Sequence, residues 1–278
     1  MRTLLPLSAL ALAILFLPST AGATVNIERY RVSLAEDGAS GSLSLGAAAK
    51  TGNVRTFEAN LSGVAGVRRG PNLLMVVASG KYAAKNTDAA GQGDWSGSVF
   101  GDESRWANKL LGAVRYNRDL KPRLAWELFG QVEYDEFLRL DFRTLGGTGP
   151  RVALLQQEQA SVFLGTGAMA EFERQNATLV AEDADTLAIR WTSYLCFSLQ
   201  PTETLGLSST AYIQPRFDRL GDFRLLDETE LSLSVTEHLS LGIAFSMRYD
   251  SDPAELIADE TPLVPLDTEL TNKLTLSF

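Results

Sequence analysis

The chain has 278 residues, 25 basic against 34 acidic, a formal charge of −9 and 45% hydrophobic residues. So acidic a surface repels a phosphate backbone, which excludes nucleic acid as a partner. One cysteine excludes an internal disulfide, and without a stretch of about 18 apolar residues beyond the N-terminus a bundle of membrane helices is excluded as well.

The first element reads as an export signal over residues 1–23: Arg2, an apolar run at residues 4–17, and the small residues Ala21-Gly22-Ala23 before Thr24. Its removal takes Arg2 with it and leaves 24 basic against 34 acidic residues, a charge of −10. No cysteine follows the cleavage site, so a lipid anchor is not expected, and the apolar run is too short for a retained membrane helix. Residues 24–39 then form a short periplasmic segment. Its Ile27, Tyr30, Val32 and Leu34 suit an extra strand, a tail or a plug equally well.

From residue 40 the sequence alternates apolar and polar side chains with turn signals between, which predicts an all-β barrel domain over residues 40–278. The runs fall near residues 40–50, 55–67, 73–85, 105–119, 123–136, 141–152, 160–173, 185–200, 205–216, 222–235, 239–251 and 265–278. Soluble sheets use strands of about 5 to 6 residues, whereas these are long enough to cross a bilayer. Leu239, Leu241, Ile243, Phe245, Met247 and Tyr249 share one face of a run, and Ser240, Gly242, Ala244, Ser246, Arg248 and Asp250 the other. Leu187, Ile189, Trp191, Leu195, Phe197 and Leu199 are likewise opposed to Arg190, Thr192, Tyr194, Cys196 and Ser198, and Leu124, Trp126, Leu128, Val132 and Tyr134 to Glu127, Gln131 and Glu133. Charge on one face only implies a lipid-facing exterior and a wet interior. The prediction is therefore a transmembrane antiparallel up-and-down β-barrel of about 12 strands, an even number as bacterial single-chain barrels require.

Connections at 68–72, 120–122, 155–159, 201–204 and 236–238 are tight and are placed on the periplasmic side. Those at 86–104, 174–184 and 252–264 are long and are placed outside, with shorter outer ones at 51–54, 137–140 and 217–221. Aromatic girdles follow from this assignment. Phe57, Tyr82, Trp106, Tyr134, Phe172, Phe223 and Tyr249 fall at the outer ends, and Tyr116, Trp126, Phe197 and Phe278 toward the periplasmic ends. Alternation is weakest at residues 140–150, where Gly146, Gly147 and Gly149 suggest a bulge or bend. No outward face shows a break that would mark a subunit interface, and the oligomeric state is left open.

Parity assigns Lys109, Arg115, Glu127, Glu133, Arg190, Glu228, Glu230, Arg248, Asp250, Glu269 and Lys273 to the lumen. An interior intermediate between a packed eight-stranded barrel and a water-filled sixteen-stranded one favours salt bridges filling the space over a selective binding site. Cys196 reads as a buried or lumen-facing structural thiol. Asp250-Ser251-Asp252-Pro253 could offer hard oxygens to calcium, but a proline-directed turn closing the strand is preferred. His238, the only histidine, falls in a tight turn at the end away from outer-leaflet substrates. There is no Gly-x-Ser-x-Gly elbow, no His/Cys metal spacing and no phosphate-cradling glycine loop, so no catalytic residue, metal or cofactor is expected.

Several patches carry a resemblance. They are Leu43-Ser44-Leu45-Gly46 with Thr51-Gly52-Asn53; Tyr134-Asp135-Glu136-Phe137 before Leu140; Phe223-Arg224-Leu225; Thr236-Glu237-His238-Leu239-Ser240-Leu241; Arg248-Tyr249-Asp250-Ser251-Asp252-Pro253; and the final Ser277-Phe278. Together they resemble the YdiY-like outer-membrane proteins, also called salt-induced outer membrane proteins, domain of unknown function number four-eighty-one. The chain departs from that pattern at Val54, where the family has Thr, and in residues 94–104. The resemblance implies an outer-membrane barrel, porin-like in form, surrounded by outer-membrane lipid in a Gram-negative cell, and it brings no catalytic residues. It also implies that Leu274, Leu276 and Phe278 form the C-terminal signal read by the barrel assembly machinery. The expected role is a narrow pore or passive channel. A non-transporting structural or stress-responsive barrel comes second, and a lipid-directed enzyme third.

Overall fold

The computed structural model describes residues 37–50, 55–86, 105–136, 138–178, 185–253, 255–256, 261–262 and 264–278. The export signal, nearly all of the segment at 24–39 and most of the connection at 86–104 lie outside the described residues. The strands are β1 (Gly38–Lys50), β2 (Arg55–Arg69), β3 (Asn72–Asn86), β4 (Arg105–Lys121), β5 (Leu124–Asp135), β6 (Leu140–Gln156) and β7 (Ala160–Gln175). They continue with β8 (Asp185–Leu199), β9 (Leu205–Pro215), β10 (Phe223–Ser234), β11 (Leu239–Asp250), β12 (Glu255–Leu256), β13 (Thr261–Pro262) and β14 (Leu266–Ser277).

Twelve of these strands close into one antiparallel barrel in which each pairs with its chain neighbours and β14 returns to β1; β12 and β13 form a separate two-stranded ladder in the connection before β14. Each expected run corresponds to one barrel strand. The largest difference is β6, expected over 141–152 and extending to Gln156. Tight turns collect at one end, here the turn end, together with Gly38 and Phe278. There β2 and β3 are joined through Gly70-Pro71, with Gly70 in the left-handed region at φ 54°, a conformation open to glycine without a steric penalty. The opposite, loop end carries the longer connections.

Side-chain distribution follows the strand period. The exposed large hydrophobics, among them Leu45, Leu61, Leu110, Leu128, Leu187, Ile189, Leu231 and Leu270, lie on outward positions, while the buried class is rich in Arg, Glu, Asp, Ser and Thr. An apolar exterior around a polar interior is stable only where lipid is the outer solvent, so the barrel is a transmembrane one. The interior apolar cluster is small: Val64, Leu73, Met75 and Val77, on β2 and β3 toward the turn end.

The irregularity expected over 140–150 is present at the start of that stretch, not at its glycines. Ladder irregularities fall between Leu140 and Phe142 and between Ala153 and Leu155, at either side of the glycines. The glycines themselves permit close approach. A Cβ at Gly149 would lie 1.9 Å from the Thr166 carbonyl oxygen, and one at Gly165 would lie 2.1 Å from the Tyr194 ring. The β6–β7 wall is thin so that aromatic rings can lie against it from inside.

Candidate functional site

The site is the lumen, and its chemistry divides along the barrel axis. Toward the loop end, inward positions of β5, β6, β7, β8, β10 and β11 bring Arg143, Arg190, Arg224 and Arg248 among Glu133, Glu171, Glu173, Asp222 and Asp250. Arg224 reaches Glu171 at 2.7 Å, Glu173 at 2.8 Å and Asp250 at 2.8 Å. Arg190 lies 3.0 Å from both Glu171 and Asp222, and donates to the Gln214 carbonyl at 3.2 Å. Arg143 bonds Glu133 at 3.0 Å and is paired with Glu173, while Arg248 is 3.8 Å from Glu133. Between this lattice and the seam, Lys81 bridges Glu58 at 3.2 Å and Glu269; Lys109 approaches Glu269 at 3.6 Å, and Lys273 approaches Glu230 at 3.6 Å. Desolvation of so many charges is offset only by such multiple pairing.

Toward the turn end, arginines meet aromatic rings instead. The Arg151 guanidinium stacks 3.9 Å from the Phe163 ring centre and donates to Tyr194 Oη at 3.2 Å and Cys196 Sγ at 3.7 Å. Arg115 lies 5.6 Å from Phe129 and 5.7 Å from Tyr194, 3.9 Å from Glu127, and donates to Tyr212 Oη at 3.4 Å. Tyr194 packs on Tyr212 with ring centres 5.2 Å apart and donates to Glu127, which also accepts from Asn117. This layer crosses the interior from β4 to β9. Among the described residues, cavities lie within the barrel on the loop-end side of this layer. One of about 120 Å³ is lined by Lys81, Lys109, Lys273, Glu228, Glu230 and Glu269, and one of about 60 Å³ lies between Arg115, Glu171, Tyr194 and Arg224.

All eleven residues assigned to the lumen by parity occupy inward positions, and most enter one of these ion-pair groups; Glu228 lines the larger cavity. Sequence reasoning omitted Glu58, Lys81, Arg143, Arg151, Glu171, Glu173 and Arg224. Parity with Met169 would have found Glu171 and Glu173, and parity with Glu228 would have found Arg224. Cys196 is 1% exposed on the inner face. His238 is exposed in the β10–β11 turn, Nδ1 3.1 Å from the Ser277 carbonyl oxygen. Ser251 Oγ accepts from the Phe223 N–H at 2.7 Å and donates to the Gly221 carbonyl at 3.0 Å, and the Asp252 N–H donates to Asp250. The Asp250–Pro253 stretch is thus a closed turn. Among the described residues no group of three or more His, Cys, Asp or Glu side chains could hold a metal ion.

Among the described residues the outer face departs from expectation at Asp227 of β10 and at Thr268 and Asn272 of β14. Asp227 alternates with the inward Glu228 and therefore faces outward in mid-strand, accepting hydrogen bonds from Ser209 and Thr229 at 3.2 and 3.1 Å. The lipid-facing surface is accordingly not free of breaks. The interruption at Asp227 was lost in a run whose inward carboxylates carried the polar signal. At the turn end, Phe278 exchanges two backbone hydrogen bonds with Gly41, at 2.9 and 3.0 Å.

A sequence model of the family described as "Protein of unknown function, DUF481" matches residues 43–278. No curated protein matches the sequence. Similar solved structures include a NanC porin, 7% identical over 85% of this chain and 97% of that one, TM-score 0.45. The translocator domain of the autotransporter NalP from Neisseria meningitidis is 9% identical over 91% and 92%, TM-score 0.44. The CymD monoaromatic hydrocarbon channel is 8% identical over 92% and 94%, TM-score 0.41.

Proposed function

The chain belongs to the DUF481 family, whose model spans nearly the whole barrel, and from the form of its lumen we propose that it is an outer-membrane protein serving as a narrow pore, closed at rest. The outer-membrane address is supported by the apolar exterior around a polar interior and by the export signal expected over residues 1–23. Leu274, Leu276 and Phe278 face lipid at the turn end, where they are open to the assembly machinery.

The observation that carries the pore reading is the charged cavity of about 120 Å³. Lysine and glutamate side chains line it, and at about 30 Å³ per water it is roomy enough for a few waters. A barrel with no passage would be more stable with such space filled by apolar groups. Closure comes from the Arg115, Phe129, Arg151, Phe163, Tyr194 and Tyr212 layer. Opening requires the Arg151 stack on Phe163 to move, and charges of both signs leave no simple cation or anion preference.

Planar-bilayer recording of refolded protein tests the reading. Wild type should give small, infrequent steps, and Arg151→Ala larger and more frequent ones. Silence from both would contradict it and favour a structural, non-transporting barrel, which the arginine–aromatic layer across the bore supports as the second reading. Phospholipid cleavage that disappears in His238→Ala would overturn both.

A further inference from the structure

The barrel wall is uneven at its closure. β1 and β14 are joined by four ladder pairs, Ser42 with Ser277, Leu43 with Leu276, Ser44 with Thr275 and Leu45 with Leu274, all toward the turn end. The strands are still close at Gly46, where an added Cβ would come within 2.9 Å of the Asn272 carbonyl oxygen. Beyond it, among the described residues, no ladder pair joins residues 46–50 to residues 266–273. Each strand is nonetheless held on its other side, β1 by β2 as far as Lys50 and β14 by β11 as far as Leu266. Among the described residues the wall therefore carries a slit, within the membrane-spanning height, between two edges each paired on its other side.

An open sheet edge in hydrocarbon leaves backbone N–H and C=O groups unsatisfied at several kcal/mol each, and such backbone is tolerated at membrane depth only where it borders protein or a water-filled cavity. A cavity lies behind the slit, bordered by Glu269, Thr271 and Lys273 of β14 and by Asn60 of β2. Two further features mark the slit as a mouth. The outward face of β14, elsewhere leucine, carries the exposed polar residues Thr268 and Asn272 beside it. Lys273 on the cavity wall and Glu58, beside it and 3.2 Å from the wall residue Lys81, have side chains 31% and 30% exposed, against 10% or less for Lys81, Glu230 and Glu269. They stand on β14 and β2, on either side of β1, with opposite charge.

We propose that the β1–β14 slit is a lateral portal. Through it a membrane amphiphile with a zwitterionic headgroup, a phosphate and a primary amine, seats that headgroup in the lumen cavity while its acyl chains stay in the bilayer. Lys273 takes the phosphate and Glu58 the amine, and the headgroup satisfies the slit's backbone groups. The portal does not depend on passage through the turn end, so a silent planar bilayer leaves it standing.

Cysteine pairs in a Cys196→Ser background test the slit. Leu43→Cys with Leu276→Cys, opposite each other in the ladder, should crosslink on oxidation. Ala49→Cys with Leu270→Cys, positions that a continued ladder would oppose, should not crosslink in protein of the same heat-modifiable mobility. Equal crosslinking of both pairs overturns the slit. For the ligand, a fluorophore on Thr271→Cys in vesicles is read against acyl-chain nitroxide lipids. Phosphatidylethanolamine should quench it several-fold more than phosphatidylglycerol, and Lys273→Gln should abolish the difference. Equal quenching by the two lipids overturns the headgroup assignment, and quenching by neither overturns the portal.

Discussion

The two halves of the lumen hold arginine in opposite ways. Toward the loop end Arg143, Arg190 and Arg224 are each shared among carboxylates, so that Arg224 alone contacts three, and removing one of these arginines strands buried charge. Toward the turn end Arg151 and Arg115 rest on aromatic rings, with Glu127 the acid shared among Arg115, Asn117 and Tyr194. The first arrangement is an ionic lattice beside hydrated space, expensive to break. The second is a layer that blocks the bore and can yield by sliding a guanidinium off a ring. The loop-end half thus sets the stability of the barrel, and the turn-end half sets whether anything crosses it.

Substitutions separate the two halves. The largest effect on stability is expected for Arg224→Ala, about 3–5 kcal/mol from unpairing a buried network, read as a lower midpoint of chemical unfolding from vesicles. Conductance should change little in the protein that remains folded. Gly165→Ala drives a methyl into the Tyr194 ring at 2.1 Å, an overpacking cost of about 2–3 kcal/mol, and should raise conductance because the displaced ring belongs to the blocking layer. Tyr194→Phe removes the hydroxyl between Arg151 and Glu127 at a cost of about 1.5 kcal/mol, with a smaller rise in conductance. Asp227→Asn, outside the lumen, should stabilise by ~1 kcal/mol by taking a charge out of lipid and leave conductance unchanged.

The smallest effect is at the loop-end rim, where Arg216 donates to Asp218 at 2.7 and 2.9 Å and holds that carboxyl below its usual range. A depressed carboxyl contributes only above its unfolded pKa, and the contribution fades as pH falls through the folded value. On so exposed a pair, Asp218→Asn should leave the unfolding midpoint unmoved at neutral pH.

Legibility in the sequence followed the alternation. Long period-two runs identified every barrel strand, and in β5, β8 and β11 charge on one face identified Glu127, Glu133, Arg190, Arg248 and Asp250 as inward. In β6 the glycines erased the contrast around Arg143, and in β7 the small outward residues Thr166, Ala168 and Ala170 made the inward face hard to tell from the outward one. Tyr194 was legible as inward but not as the centre of the blocking layer, because its partners come from β4, β5, β6 and β9. Which arginine meets which glutamate is fixed by closure of the barrel, which brings β7 against β10 across the lumen, and no local pattern encodes that. The four-pair seam is hidden for the same reason, since its two strands are the most distant in the chain.

The single cysteine offers the most direct measurement. Cys196 lies on the inner wall beside Arg151, 1% exposed, behind the layer proposed to close the bore. Modification of Cys196 by a charged, water-soluble thiol reagent should be negligible in vesicle-embedded wild type and rapid once Arg151→Ala opens the layer. Rapid modification of the wild type, or the same slow rate in both proteins, would contradict closure by that layer.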